Sequence, residues 1–511
     1  MQFDHREICN GLSPNPSNLG SHFPAEGKDA FEIAYSNTEK IINCSAFRRM
    51  QGKTQVYPFP DTDAVRNRLT HSIEVAHIGQ TIAARIYARV ACDDTIKRAA
   101  QQIVNNGCLL HDIGNPPFGH GGEEAIREFF RASTKTEIVE HALQNEQYKN
   151  DFVCFDGNAQ GFRIATTLNG RKYAGGLRLG AATLCAMAKY PYGSSDPCGK
   201  KGKFGYMTSE EKLFEAAFQT CGLADGKGSV FRSPLSLIVE AADDIAYLTA
   251  DLQDAYINGD LDFSQAQAEL VDLADELGAS YAHENFADQR DAISEIRSLA
   301  VKNMIALASD QLYIDVFRNR TMVDRYQPFP LWRRQAAEAV GATEDRIRAK
   351  SNEKIYRGRR KVTLQVAGGR IIKFVLKMQI QALNDLYFYL LRYRTTVDSM
   401  DSDIKDKLSG LPPSLEKLAD YLFDNLEKGI ESRESAQVIL RMPNETHRQI
   451  KKLFIESCDL DRIKAGHNKD GGPIDAELAY RLVQISLDFV SGTTDRYLNN
   501  YSKDWAGPSL T

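Results

Sequence analysis

His111 and Asp112 stand side by side in Cys108-Leu-Leu-His-Asp-Ile-Gly-Asn-Pro-Pro-Phe-Gly-His120, directly after an apolar run that includes Val104. A charged pair behind apolar residues is costly unless it is compensated. A capping role or a salt bridge is one compensation, and metal binding is another. An adjacent imidazole and carboxylate can give one ion two ligands. His71 upstream, with Asp243 or Asp244 downstream, could complete the set. Half of the ten histidines fall between residues 71 and 141, so they are clustered and not scattered.

Arg68 precedes His71 by three residues in Arg66-Asn-Arg-Leu-Thr-His-Ser-Ile-Glu74, so both project from one helix face. By itself this pair reads as a surface His with a salt-bridging Arg. Beside a second His-Asp pair it reads differently. A phosphate ester needs a metal to polarise one oxygen and activate water, and a guanidinium to neutralise another oxygen. His120 and Glu123 are also three apart, after the Pro116-Pro117 turn. A His–carboxylate pair there can transfer a proton or simply cap the next helix. Asp243, Tyr247 and Asp251 recur every four residues and form one stripe, with Asp244 pointing about 100° away. Two imidazoles with two carboxylates and no thiolate disfavour a structural zinc. Mn²⁺, Fe²⁺, Co²⁺ or Mg²⁺ suits them better, and ligand type does not choose among these.

The elements that must hold these residues are helices. Leu69, Ile73 and Ala76, then Ile78, Ile82, Ile86 and Val90, recur at three- and four-residue spacing and predict a long amphipathic helix. A second helix is predicted over about 95–111, ended by Pro116-Pro117. Others are predicted at 122–132, 137–148, 158–169, 209–221, 234–258, 372–393, 413–428, 444–456 and 475–498. Residues 190–206 are dense in turn formers and read as a long loop, a kind that is often functional. The stretch Val362–Ile372 reads as a short β element. No internal repeat and no clean linker is visible. The expected organisation is an irregular N-terminal arm (1–30), a core (31–260) and a helical C-terminal region (261–511) packed on that core as one globular unit.

The chain has 511 residues, 42% of them hydrophobic, a net charge of −5 and a pI of about 6.1. That length supports a large core and allows several domains. The charge gives no global field for nucleic acid. The basic cluster Arg357-Gly-Arg-Arg-Lys361 reads as a solvated loop or strand edge. Nine scattered cysteines without Cys-x-x-Cys fit a reducing compartment. No basic-then-apolar leader and no apolar run of about 18 residues is present, so a cytoplasmic location without a membrane span is expected. No Walker-type loop appears, and Gly175–Gly180 lacks its spacing.

The long string from Cys108 to His120, with His71 and the Asp243 stripe, resembles the HD superfamily of metal-dependent phosphohydrolases. Within it the chain is similar to deoxynucleoside triphosphate triphosphohydrolases of the dGTP-hydrolysing type. Ile41-Ile-Asn-Cys-Ser-Ala-Phe-Arg-Arg-Met-Gln-Gly-Lys-Thr-Gln-Val56 resembles the family segment before the first ligand. Phe155-Asp-Gly-Asn-Ala-Gln-Gly-Phe-Arg163 resembles its Asn-Ala-Gln motif, and Lys189-Tyr-Pro with Lys203-Phe-Gly-Tyr also recurs there. The match covers most of the first 260 residues and is thin beyond. Gln365-Val-Ala-Gly-Gly369 departs from the usual Glu-Leu-Ala-Gly-Tyr, so base preference is left open.

The resemblance implies an all-α fold with a small β element and a helical C-terminal extension. It implies one divalent ion on His71, His111, Asp112 and Asp243, with Asp243 preferred to Asp244. It implies His120 and Glu123 as a catalytic pair beside the α-phosphate, with Arg68 offsetting charge. Tyr247 would stack on the sugar, Asp251 would bind the 3′-hydroxyl, and Gln51 would lie on the deoxyribose side. Asn115, in the same turn as the HD pair, would face the phosphates. The implied reaction converts a dNTP, dGTP first, into deoxynucleoside and triphosphate. Another HD phosphohydrolase, such as a nucleotidase or phosphodiesterase, is the neighbouring alternative. A nucleotide or single-stranded-DNA sensor with incidental hydrolysis is the more distant one. A homo-oligomer, a hexamer by resemblance, and a single-stranded DNA or dNTP effector are the expected partners.

Overall fold

The structure is a computed structural model. It describes residues 2–15, 22–23, 27–59, 62–132, 136–168, 176–225, 228–276, 288–326, 359–398, 430, 432–442, 449–450 and 474–506. The helix expected at 413–428, and nearly all of that at 444–456, lie outside them.

The fold is all-α, with two small antiparallel pairings. Ser13–Pro14 pairs with His22–Phe23, and Phe231–Arg232 pairs with Val323–Asp324. The chain divides into two compact units: residues 1–123, 156–368 and 494–496, and residues 124–155, 369–493 and 497–511. No described helix is long and apolar enough to cross a membrane.

Three helices of the first unit carry most of the chemistry-bearing residues. The His71 helix, Arg68–Tyr87, opens with a reciprocal cap: Asn67 accepts from the Thr70 backbone, and the Thr70 hydroxyl accepts from the Asn67 backbone. Such a cap satisfies amide groups that the first turn cannot. The HD helix, Asp94–Leu110, is capped by Asp93, which accepts from the Ile96 backbone. The two helices pack closely at Gly79, where a Cβ would lie 2.6 Å from Cys108 Sγ. The Asp243 helix, Pro234–Ile257, starts with proline in its first turn and is buried along most of its length. A helix apolar on most sides belongs in a core. Asp243, Asp244 and Tyr247 are only half-buried, and they interrupt that apolar surface.

The second unit packs around buried aromatic residues, among them Tyr148, Phe152 and Tyr480. Tyr480 stacks on Tyr148 at 4.0 Å between centroids and donates to Asp151 at 2.6 Å. The single helix expected over 137–148 is two, Glu137–Ala142 and Glu146–Val153. Asn145 accepts from the Gln147 and Tyr148 backbones and restarts the helix there.

The β element expected at Val362–Ile372 is not formed. Those residues lie in a helix, Arg359–Asp398. Gly368, within that stretch, lies against the Phe118 ring; a Cβ there would be 2.4 Å from Cγ. Packing against a neighbour overrides the local preference of Val, Ile and Gly for non-helical backbone.

Candidate active site

Four donors from three helical segments converge. His71 Nε2 lies 3.1 Å from Asp243 Oδ1. His111 Nε2 lies 3.5 Å from the same oxygen and 3.6 Å from Asp112 Oδ2. One donor atom each from His71, His111 and Asp112 falls within 4.8 Å of the others. The His111 ring is oriented from behind, because Nδ1 lies 2.6 Å from the Cys108 carbonyl and can only donate there. This leaves Nε2 as the acceptor of the neutral ring. Nε2 is buried and makes no hydrogen bond of good geometry. A buried lone pair without a donor, facing two carboxylates, fits a divalent cation. It also fits hard-to-borderline ions, since no thiolate joins the set.

The same carboxylates favour positive charge at Nε2, whether it is a proton or a cation. Burial opposes charge on His111, but Asp112 and Asp243 outweigh it and lift the imidazole to about 9. Burial would raise the Asp243 carboxyl, yet His111 and His71 hold it well below the usual carboxylate range. Asp112 is held low in the same way, with burial opposed by Arg68 and both imidazoles. Two buried carboxylates this close call for positive charge between them.

Asp112 is fixed on both sides. Arg68 Nη1 lies 2.5 Å from Oδ2, and the Asn115 amide donates to Oδ1. Lys53, which is buried, donates from Nζ to the Asn115 carbonyl at 2.6 Å. Burial, then the neighbouring Arg49 and Arg68, pushes this amine down to about 7.

His120 and Glu123 form a separate pair on the helix Gly119–Arg131. Nδ1 lies 3.1 Å from Glu123 Oε2. The partners differ in exposure: the His120 side chain is 77% exposed and that of Glu123 is 4% exposed. Glu123 Oε1 accepts from the Gly157 backbone at 2.9 Å. Burial would raise this carboxyl, but the His120 hydrogen bond and the Lys203 charge bring it down to about 2. The carboxylate is thus anchored from behind and orients an exposed ring through its Nδ1. Upstream, Phe118 and Gly119 both adopt left-handed backbone, at φ 63° and 60°. For phenylalanine this costs on the order of 1–3 kcal/mol.

Tyr247 and Asp251 continue the Asp243 stripe by one and two turns, about 6 and 12 Å along the axis. Tyr247 is half-buried and Asp251 is buried. Gln51 lies exposed in the short turn Met50–Gly52 and hydrogen-bonds to none of these residues. Asp244 bears on Lys189, whose charge is supported first by Glu240.

Four site residues were not singled out in the sequence: Lys53, Lys189, Lys203 and Asp495. Lys53 sits in a segment quoted for its resemblance. Lys189 precedes the long turn-rich loop and Lys203 lies within it, both in strings quoted for their resemblance but without a role. The loop's return is pinned where Phe204 N donates to Asp156 Oδ2 at 3.0 Å. Lys189 Nζ lies 3.4 Å from Glu240 Oε1. Asp495 had no local signal at all.

Residues 68–155 match the HD domain family. The chain is also similar to curated proteins along much of its length. A deoxyguanosinetriphosphate triphosphohydrolase-like protein of Synechocystis is 37% identical over 297 residues, 54% of this chain and 65% of that one. One of Pseudomonas aeruginosa is 34% identical over 369 residues, 68% of this chain and 79% of that one. A deoxyguanosinetriphosphate triphosphohydrolase of Salmonella arizonae is 35% identical over 264 residues, 44% of this chain and 50% of that one. This chain belongs to the deoxyguanosinetriphosphate triphosphohydrolase-like family of HD-domain proteins.

Proposed function

We propose that this protein hydrolyses deoxynucleoside triphosphates in a metal-dependent reaction, with dGTP the first substrate to test. The observation that carries this reading is the buried, hydrogen-bond-free Nε2 of His111 facing Asp112 and Asp243, with His71 beside them. The names of the relatives supply the substrate class.

His71, His111, Asp112 and Asp243 would hold one divalent ion, of the Mn²⁺, Mg²⁺, Fe²⁺ or Co²⁺ type. Such an ion polarises a phosphoryl oxygen and lowers the pKa of water. Arg68, fixed on Asp112, offers a guanidinium to a second non-bridging oxygen. Water oxygen forms a bond to the α-phosphorus, and the bond from that phosphorus to O5′ breaks. O5′ gains a proton, leaving deoxynucleoside and intact triphosphate. His120, oriented by Glu123, moves the proton. Lys189 and Lys203 bring positive charge toward the polyanionic triphosphate chain. Asn115 faces the phosphates, Tyr247 packs on the deoxyribose, Asp251 receives the 3′-hydroxyl, and Gln51 lies on the sugar side. A homo-oligomer with a single-stranded DNA or dNTP effector belongs to the same reading.

The test is a panel of the four dNTPs with Mn²⁺ or Mg²⁺ and chromatographic identification of products. Triphosphate and deoxynucleoside are expected. Release of phosphate or pyrophosphate would overturn the reading in favour of another HD phosphohydrolase.

A further inference from the structure

Asp495 lies 377 residues from Phe118 in sequence and is buried against it, with its carboxylate shared between two segments of the first unit. Oδ1 accepts from Phe118 N at 3.0 Å. Oδ2 accepts from Thr54 N at 3.2 Å and, at closer range, from the Thr54 hydroxyl. Each of these contacts reaches a segment that carries a site residue.

Phe118 is the last residue but one before His120. Its left-handed backbone leaves its N–H without a helical partner, and a buried amide needs one. Asp495 supplies it. The Phe118 ring is held from another side by Gly368. Thr54 pairs antiparallel with Asn67, and Arg68 N donates to the Lys53 carbonyl at 3.2 Å. This fixes the start of the His71 helix. Lys53 itself reaches the Asn115 carbonyl in the HD turn. One short segment, Lys53–Thr54, therefore touches the His71 helix and the HD turn, and Asp495 ties it to the His120 turn. Thr494 packs so tightly here that a Cβ on Gly52 would lie 2.8 Å from its Cγ2.

We propose that Asp495 is a positioning residue for hydrolysis: its carboxylate sets the distance between the proton-transfer pair His120–Glu123 and the four-donor cluster. It does not reach substrate. It acts by holding the Phe118–Gly119 turn against Thr54. The inference rests on the reading of His120 as the proton-transfer group. Misplacement by about 1 Å is enough to cost a large factor in rate while leaving binding in place.

A double-mutant cycle on the metal-loaded full chain tests it, using the dNTP hydrolysed fastest. Asp495→Ala should lower kcat by about tenfold or more, with metal content and KM close to wild type. Asp495→Asn keeps the volume and one acceptor and should fall between. In a His120→Ala background the same Asp495 changes should cost less than about threefold, because the group they misplace is already gone. A merely structural role would give the same loss in both backgrounds, and that result overturns the proposal. So does wild-type kcat in Asp495→Ala. Where Asp495→Ala does not fold, the Asp495→Asn cycle is read by the same criteria. Wild-type kcat in His120→Ala sinks the reading of His120 and the inference with it. A low kcat in His120→Ala with an additive cycle sinks the inference alone.

Discussion

His71 Nε2 and Asp243 Oδ1 lie 3.1 Å apart although 172 residues separate them. The neighbouring Asp244 projects about 100° round the helix from Asp243. Asp243→Asn should therefore strip the bound ion and abolish turnover, whereas Asp244→Asn should keep the ion. Metal content by plasma mass spectrometry, with circular dichroism as the folding control, separates the two. Equal metal loss in both variants would refute the choice of Asp243.

His111→Ala removes the Nε2 that faces both carboxylates. It should lose metal and turnover together while helical content survives, and added Mn²⁺ should not restore the rate. Chelation of wild-type protein should produce the same loss, reversed by adding metal back. Full activity in metal-free His111→Ala would contradict the site.

Tyr247 sits one helical turn from Asp243 and is half-buried, and the proposed function puts the deoxyribose on its ring. A ring in that place excludes a 2′-hydroxyl by clash, the stronger kind of discrimination. Tyr247→Ala should raise the GTP-to-dGTP ratio of kcat/KM more than it changes metal affinity. An unchanged ratio in competition assays would remove Tyr247 from the sugar site.

Glu123 gives a pH signature. Its carboxyl falls from an ordinary 4.5 to about 2 in the folded chain. As pH falls, the unfolded state takes up this proton first. The stabilisation is therefore fully present above about pH 4.5 and is lost as pH falls toward about 2, amounting to on the order of 3 kcal/mol. Urea unfolding of wild type and Glu123→Gln should differ most near neutral pH, and the gap should narrow between pH 4.5 and 3. A gap that stays constant would mean the anchored carboxylate contributes nothing through its ionisation.

Gly368→Ala should destabilise the chain despite the better helix propensity of alanine. The new methyl would meet the buried Phe118 ring, and overpacking of this kind costs about 1–3 kcal/mol against a propensity gain of about 1. A lower Tm is expected, with a lower kcat because Phe118 leads into the His120 helix. A raised Tm would show that the ring yields freely.

The HD pair, the His71–Arg68 and His120–Glu123 spacings, and the Asp243 stripe were legible because each is a short-range pattern. Neighbours in sequence and residues three or four apart share a helix face whatever the rest of the chain does. Apolar periodicity placed the helices, but it ran one helix through Asn145, where the side chain caps and restarts a second one. What one helix places against another was not legible. Val362–Ile372 carries strand-forming residues, yet it is helical because Gly368 must pack on Phe118. Lys53, Lys189 and Lys203 reach the site through turns whose course depends on partners such as Asp156. Asp495 has no pattern around it, and only the closed fold brings it to Phe118 and Thr54. Local spacing selects which side chains share a face. The burial of polar groups between distant segments decides which of those faces meet, because each buried donor or acceptor must find its partner wherever in the chain that partner lies.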